Sequence, residues 1–136
     1  MLNQVILARE IATRAHAGQF RRDGFTPYIE HPKAVAYKVM HYGDDYSATA
    51  FLHDVLEDTT TTSQNLREAG VSETIIAAVL VLTKDKTLTY HQYLNEVHNN
   101  PIARKVKIAD MLHNLSDAPT DKQIIKYAHG LITLVY

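Results

Sequence analysis

The sequence contains no cysteine. That absence removes disulfides and thiolate metal sites together, so any metal here must be held by nitrogen and oxygen. There is no basic tract either. Lys plus Arg is 14 and Asp plus Glu is 15, a net charge of −1 with His neutral, and nucleic acid is not expected as a partner because that affinity rests on neutralising phosphates. No apolar run approaches the roughly 20 residues that cross a bilayer. The first ten residues, MLNQVILARE, lack the basic start and long apolar core of a signal peptide, so no membrane partner is expected and the chain reads as cytoplasmic. Strand-like alternation, internal repeats and linkers are also missing. The 136 residues are therefore expected to form one domain, 1–136, large enough to bury a core without staples. Nothing in them specifies an oligomeric state.

What remains is helical. Residues 3–17 carry Val5, Ala8, Ala12 and Ala15 on one side, and Gly18 ends that helix. The stretch from Gln19 to Tyr28 has no period and reads as an ordered loop. Pro32 suits the first position of the next helix, which puts His31 at its mouth and turns Val35 and Val39 inward. Helix starts are marked by Asp44 or Asp45, by Ser72, and by the capping-box spacings Thr61-x-x-Gln64, Thr89-x-x-Gln92 and Thr120-x-x-Gln123. Ile75, Ile76, Val79 and Leu80 follow Ser72; Tyr90, Tyr93, Leu94 and Val97 follow Thr89. After Asn100-Pro101, Ile108, Leu112 and Leu115 form the expected buried stripe with Met111 at its edge, and Lys107, Asp110 and Asn114 a polar one. Ile124, Ala128, Leu131 and Val135 are expected to face inward from the last helix. The sum is an all-α bundle of about seven or eight helices.

The stretch that carries chemistry is His53-Asp54-Val55-Leu56-Glu57-Asp58-Thr59. Four titratable side chains fall within six residues, inside a run whose Ala48, Phe51, Leu52 and Val55 must face a core. Read as one continuous helix, it sets His53 behind Glu57 and Asp54 behind Asp58. Carboxylates so close repel unless a cation sits among them, and an imidazole beside them suits a divalent metal. His31, His53, Asp54 and Asp110 are the candidate ligands. Two imidazoles and two carboxylates suit Mn²⁺ or Fe²⁺, with Zn²⁺, Mg²⁺, Co²⁺ and Ni²⁺ as other occupants.

The order H…HD…D resembles the HD superfamily of metal-dependent phosphohydrolases. Ala15-His16-Ala17-Gly18-Gln19, Arg21, Thr26-Pro27-Tyr28-Ile29-x-His31-Pro32, residues 51–59, Leu82-Thr83-Lys84 and residues 107–115 are similar, in order and spacing, to the RelA/SpoT-type alarmone hydrolase domain. The resemblance implies an HD helical bundle that hydrolyses the 3′-pyrophosphate of guanosine tetra- or pentaphosphate to pyrophosphate and GDP or GTP. It implies Mn²⁺ on His31, His53, Asp54 and Asp110, with Glu57 and Asp58 as the pair that activates water. Arg21 and Arg22 would contact the nucleotide, as would Asn114, with Lys107 supporting the same wall. His16 is assigned to packing, His113 is set one residue off the Asp110 stripe, and His41, His91, His98 and His129 to the surface. Ser116-Asp117-Ala118-Pro119 stand where the family frequently continues with arginine, and the sequence ends at Tyr136, short of the C-terminal region of longer relatives. Those departures leave two alternatives: an HD phosphohydrolase of another nucleotide, or a nucleotide-binding module.

Overall fold

The computed structural model of the protein describes residues 3–136. Among them are nine α-helices: α1 (Gln4–Ala15), α2 (Glu30–Val39), α3 (Asp44–Leu52), α4 (Val55–Asp58), α5 (Ser63–Ala69), α6 (Glu73–Leu82), α7 (Tyr90–Asn99), α8 (Pro101–Leu115) and α9 (Asp121–Val135). A short 3-10 turn follows α2, and the Gln19-to-Tyr28 loop is pinned by an isolated bridge between Phe20 and Pro27. The all-helical expectation holds, and no described helix is long and apolar enough to cross a membrane.

Helix α3 is the hub. Every residue from Ser47 to Leu52 is buried, because α1, α2, α6 and α8 pack around it. A helix enclosed on all sides has no polar face to show, so small residues (Ser47, Ala48, Thr49, Ala50) let its neighbours approach. Val35 and Val39 of α2, Ile75, Ile76 and Val79 of α6, and Val106 and Met111 of α8 fill the space around it.

The helix expected to run through residues 53–59 breaks. Nδ1 of His53 donates to the Ala50 carbonyl at 2.6 Å, and the His53 amide reaches that same oxygen at 3.4 Å. In a continued helix that carbonyl would accept the amide of Asp54. The imidazole takes it instead, α3 stops with His53 as its cap, and α4 restarts after Asp54.

Other boundaries move by a residue or two. Gly43, at φ 129°, precedes α3, and Asp44 and Asp45 lie in its first turn rather than capping it. Thr62 with Asn65, not Thr61 with Gln64, makes the capping box of α5. The boxes at Thr89/Gln92 and Thr120/Gln123 and the Ser72 cap form as expected. Pro32 is the third residue of α2, which begins at Glu30. On α8 Met111, expected at the edge, is fully buried, while Leu112 is 46% exposed. On α9 the inward face is Tyr127, Gly130, Leu131 and Leu134; Ile124, Ala128 and Val135 look outward. Two helices of similar apolar content can present either of two adjacent stripes, and their partners decide which. Here a Cβ built on Gly130 would lie 2.7 Å from Met111 Cε, so the glycine lets α9 approach that side chain closely.

Ile75 is fully enclosed where α6 meets α3. Ile75→Ala should lower unfolding stability by about 2–5 kcal/mol, the range for emptying a packed aliphatic site. Urea unfolding should show a lower midpoint with an unchanged slope.

Candidate metal centre and its two clefts

Three helix ends and one helix flank deliver the cluster. His31 comes from the first turn of α2, His53 and Asp54 from the break between α3 and α4, and Asp110 from the buried side of α8. The four residues expected to act together do meet. His31 Nε2 lies 2.7 Å from Asp110 Oδ1 and 3.8 Å from Asp54 Oδ2; His53 Nε2 lies 3.0 Å from Asp54 Oδ2 and 3.3 Å from Asp110 Oδ1. The donor atoms of His31, His53 and Asp54 all fall within 4.8 Å of one another. Asp110 closes on the same two imidazole nitrogens from the α8 side.

The chemistry of this donor set fits a divalent cation. His53 Nδ1 is committed to the Ala50 carbonyl, so in the neutral ring Nε2 carries a lone pair. That Nε2 is buried and neither carboxylate meets it in hydrogen-bonding geometry. Burial opposes charge on His53, but Asp54 and Asp110 outweigh it and push its pKa well above the usual imidazole value. Burial likewise opposes charge on Asp54 and Asp110. His53 and a hydrogen bond from Tyr28 hold Asp54 low, while Lys107, followed by His53, holds Asp110 well below the usual carboxylate range. The site thus keeps both carboxylates ionised around His53 Nε2, which holds a proton when no cation is bound and offers its lone pair when a divalent cation takes the proton's place. His31, whose pKa burial pushes down, offers a second neutral nitrogen.

Supporting groups hold these side chains in place. Tyr28 Oη donates to Asp54 Oδ2 at 2.5 Å, Lys107 Nζ to Asp110 Oδ2 at 2.9 Å, and Asn114 Nδ2 to Asp110 Oδ1 at 3.2 Å. His16 is buried as expected for packing, with Nδ1 2.8 Å from Gln19 Oε1, and Gln19 Nε2 donates to the Asp58 carbonyl. His41, His91 and His129 are exposed and His98 half-buried.

The remaining predicted residues divide between two clefts. Glu57 does not stand beside His53: its Oε1 accepts the Lys84 backbone N–H at 2.6 Å and it lines a groove of about 480 Å³ with Lys84, Tyr90, Tyr93, Lys107 and Lys126. Asp58 is exposed, with a pKa raised by partial burial and then by Asp54 and Glu57. Arg21 and Arg22 face the other side and are already engaged. Arg21 donates through Nε and Nη2 to Asp117 Oδ2 at 3.1 and 2.7 Å, and through Nη2 to Asn114 Oδ1 at 3.3 Å. Arg22 donates to Gln123 Oε1 and to the carbonyls of Asp117 and Ala118.

Sequence reading misses His113. Its Nδ1 sits 2.7 Å from His31 Nδ1, so with His31 Nε2 given to a metal, the His31 Nδ1–H points at it. His113 is at i+3 from Asp110, and i+3 and i+4 both lie on the same side of a helix, a spacing that points to it. Tyr28 is a second residue whose role, holding Asp54, shows only in the fold.

An all-helical bundle with H…HD…D gathered at its hub defines a hydrolase domain of the HD type. No protein-family profile matches the chain. It is 36% identical over 124 residues to the guanosine-3′,5′-bis(diphosphate) 3′-pyrophosphohydrolase MESH1 of Homo sapiens, covering 84% of this chain and 69% of that protein. It is 39% identical over 118 residues to the guanosine-3′,5′-bis(diphosphate) 3′-pyrophosphohydrolase of Haemophilus influenzae, and 33% identical over 138 residues to a probable GTP pyrophosphokinase of Mycobacterium leprae. Those matches cover 77% and 92% of this chain but only 17% of each of the two longer proteins. A solved structure described as a metazoan ortholog of SpoT that hydrolyses ppGpp shares the fold, with a TM-score of 0.77 at 23% identity over 98% of this chain and 86% of that one. The chain belongs to the guanosine-3′,5′-bis(diphosphate) 3′-pyrophosphohydrolase family, the RelA/SpoT-type HD domains.

Partners that orient a metal-binding histidine typically contribute about 10–100-fold in metal affinity. His113→Leu should weaken divalent-metal binding by about that factor, and His113→Asn, which keeps an acceptor near the Nδ1 position, should recover most of it. Titration calorimetry on the two variants checks this; equal affinity for the leucine variant and the parent would remove His113 from that role.

Proposed function

We propose that this chain is a metal-dependent guanosine-3′,5′-bis(diphosphate) 3′-pyrophosphohydrolase, with Mn²⁺ on His31, His53, Asp54 and Asp110. The observation that carries the reading is the buried, unpartnered His53 Nε2 held between two ionised carboxylates. Membership of the family and the relatives' activity support it. A hydrolase of this kind acts on a small nucleotide and is read as cytoplasmic.

In the reaction, water adds to the phosphorus bonded to the 3′-oxygen. The P–O3′ bond breaks, pyrophosphate leaves, and the 3′-oxygen takes a proton. A bound divalent ion supplies positive charge for a phosphoryl oxygen and makes water more acidic. Asp58, which partial burial and the neighbouring carboxylates make a stronger base than an ordinary aspartate, receives the water's proton in this reading. Glu57, fixed by the Lys84 amide, orients the attacking water from the groove side. Asn114 and Tyr28 keep Asp110 and Asp54 aimed inward.

The test is product analysis. With Mn²⁺, guanosine tetraphosphate should give GDP and pyrophosphate in equal amounts, and chelation should stop it. Glu57→Gln and Asp58→Asn should each lower kcat by about 10² to 10⁴ with metal content unchanged. Asp54→Ala and Asp110→Ala should lose metal by elemental analysis. A second reading, hydrolysis of another nucleotide, is favoured by the Asp117 carboxylate that neutralises Arg21. Orthophosphate released from simple 5′-monophosphates, with the tetraphosphate untouched, would select it.

A further inference from the structure

The two clefts beside the His–Asp cluster carry opposite charge. On the arginine side, Asp23, Glu30 and Asp117 face a cavity of about 180 Å³ against the single guanidinium of Arg21. Asp117 already accepts two hydrogen bonds from that guanidinium, so little positive charge is left for an incoming phosphate. On the other side, Lys84, Lys107 and Lys126 line the larger groove with Glu57, whose carboxylate accepts a backbone N–H; Lys107 is paired with Asp110, which leaves Lys84 and Lys126 without an ion-pair partner among the described residues. A polyanion next to this cluster gains from the second cleft and is repelled by the first.

The lysine groove also has the right connection to the chemistry. Lys107 Nζ donates to Asp110 Oδ2, while Asp110 Oδ1 faces His31, so one carboxylate separates the groove from the cluster. Lys84 Nζ is steadied by the carbonyls of Asp85 and Leu88. Lys126 Nζ makes no hydrogen bond or ion pair with any described residue and lies 4.6 Å from the centre of the Tyr90 ring. Partial burial and then Lys107 and Lys122 push its pKa down. Such mutual repulsion among ammonium groups is relieved when an anion enters.

We propose that Lys84, Lys107 and Lys126 form a diphosphate-binding subsite that holds the 3′-diphosphate and keeps it as pyrophosphate leaves. This assignment moves phosphate recognition away from Arg21 and Arg22, and it rests on the reading of the chain as a 3′-pyrophosphohydrolase. Its direct prediction is nevertheless a binding one. Inorganic pyrophosphate should bind the full chain in the presence of Mn²⁺, with an affinity that falls as salt rises.

Calorimetric titration with inorganic pyrophosphate tests it, using Lys84→Met and Lys126→Met, which keep the apolar stem and drop the charge. Each variant should bind pyrophosphate about tenfold more weakly, the scale of a lost charge-assisted contact. Their thermal midpoints and GDP affinities should stay near those of the parent, and Arg21→Ala should bind pyrophosphate as the parent does. Parent-like pyrophosphate affinity in both lysine variants overturns the subsite, as does loss of GDP affinity with pyrophosphate affinity intact, which would make the groove the seat of the 5′-diphosphate. Turnover of guanosine tetraphosphate by the parent is measured separately. Turnover without lysine-dependent pyrophosphate binding removes the subsite and leaves the enzyme. Lysine-dependent pyrophosphate binding without turnover removes the enzymatic reading and leaves the subsite.

Discussion

His53 is where the demands on this fold collide. Its ring is buried at the end of the hub helix, one nitrogen tied to the Ala50 carbonyl and the other turned toward Asp54 and Asp110. Burying two carboxylates near one imidazole is unfavourable unless charge is balanced locally, since burial raises the energy of every ion present. The chain meets part of that demand with Lys107 on Asp110 and Tyr28 on Asp54. The same hydrogen bond that orients the ring also ends α3, and α4 restarts after Asp54. Backbone geometry and site chemistry are therefore one event at this residue, and Nε2, left without a hydrogen bond between two carboxylates, is what makes the place suited to a cation.

From that point the site is built outward by rigid elements. Residues on helices hold direction better than residues on loops, and all four cluster residues sit on helices or at their ends. α2 enters with His31 fully enclosed, and α8 carries Lys107, Asp110, His113 and Asn114 within two turns. His113 and Asn114 bring two further contacts, one to His31 and one to Asp110, from a single stretch of backbone. A shift of α8 along its axis would move all of them together. The close approach of α9 at Gly130, against Met111 beside Asp110, resists such a shift.

How much of this can be read from residues alone follows from what each feature depends on. Helices announced by Ser72, Thr89 and Thr120 begin where their caps stand, because capping is a contact between residues three apart and needs no partner from elsewhere. The cluster is legible because histidines and aspartates set among apolar neighbours must find partners for their charge, and the order of the motifs is specific. The break at residues 53 and 54 is not legible, since it turns on which way one imidazole swings. The inward stripes of α8 and α9 depart from expectation for a related reason. Leu112 and Met111 are both apolar, as are Ile124 and Leu134, and only the packing of the neighbouring helix selects between them. A continuous helix would hold Glu57 behind His53, and Glu57 leaves that position because the helix breaks.

The overall charge conceals the electrostatics that matter. A net charge of −1 predicts no particular taste for polyanions. Folding separates the charges: the loop after α6, α8 and α9 contribute lysines to one cleft, while the Gln19-to-Tyr28 loop, the start of α2 and the α8–α9 connection contribute carboxylates to the other. Asp117 is decisive on the second side, because it lies in the four-residue stretch that departs from the family's arginine-bearing pattern and ties down Arg21. A chain that lost positive charge there would need another source for a phosphate-rich substrate. The lysine groove, separated from the cluster only by the Asp110 carboxylate, supplies that charge from the opposite wall. Electrostatic recognition can thus move from one wall to the other while His31, His53, Asp54 and Asp110 keep their places, since local fields near the reacting atoms, not the total charge, decide where an anion settles.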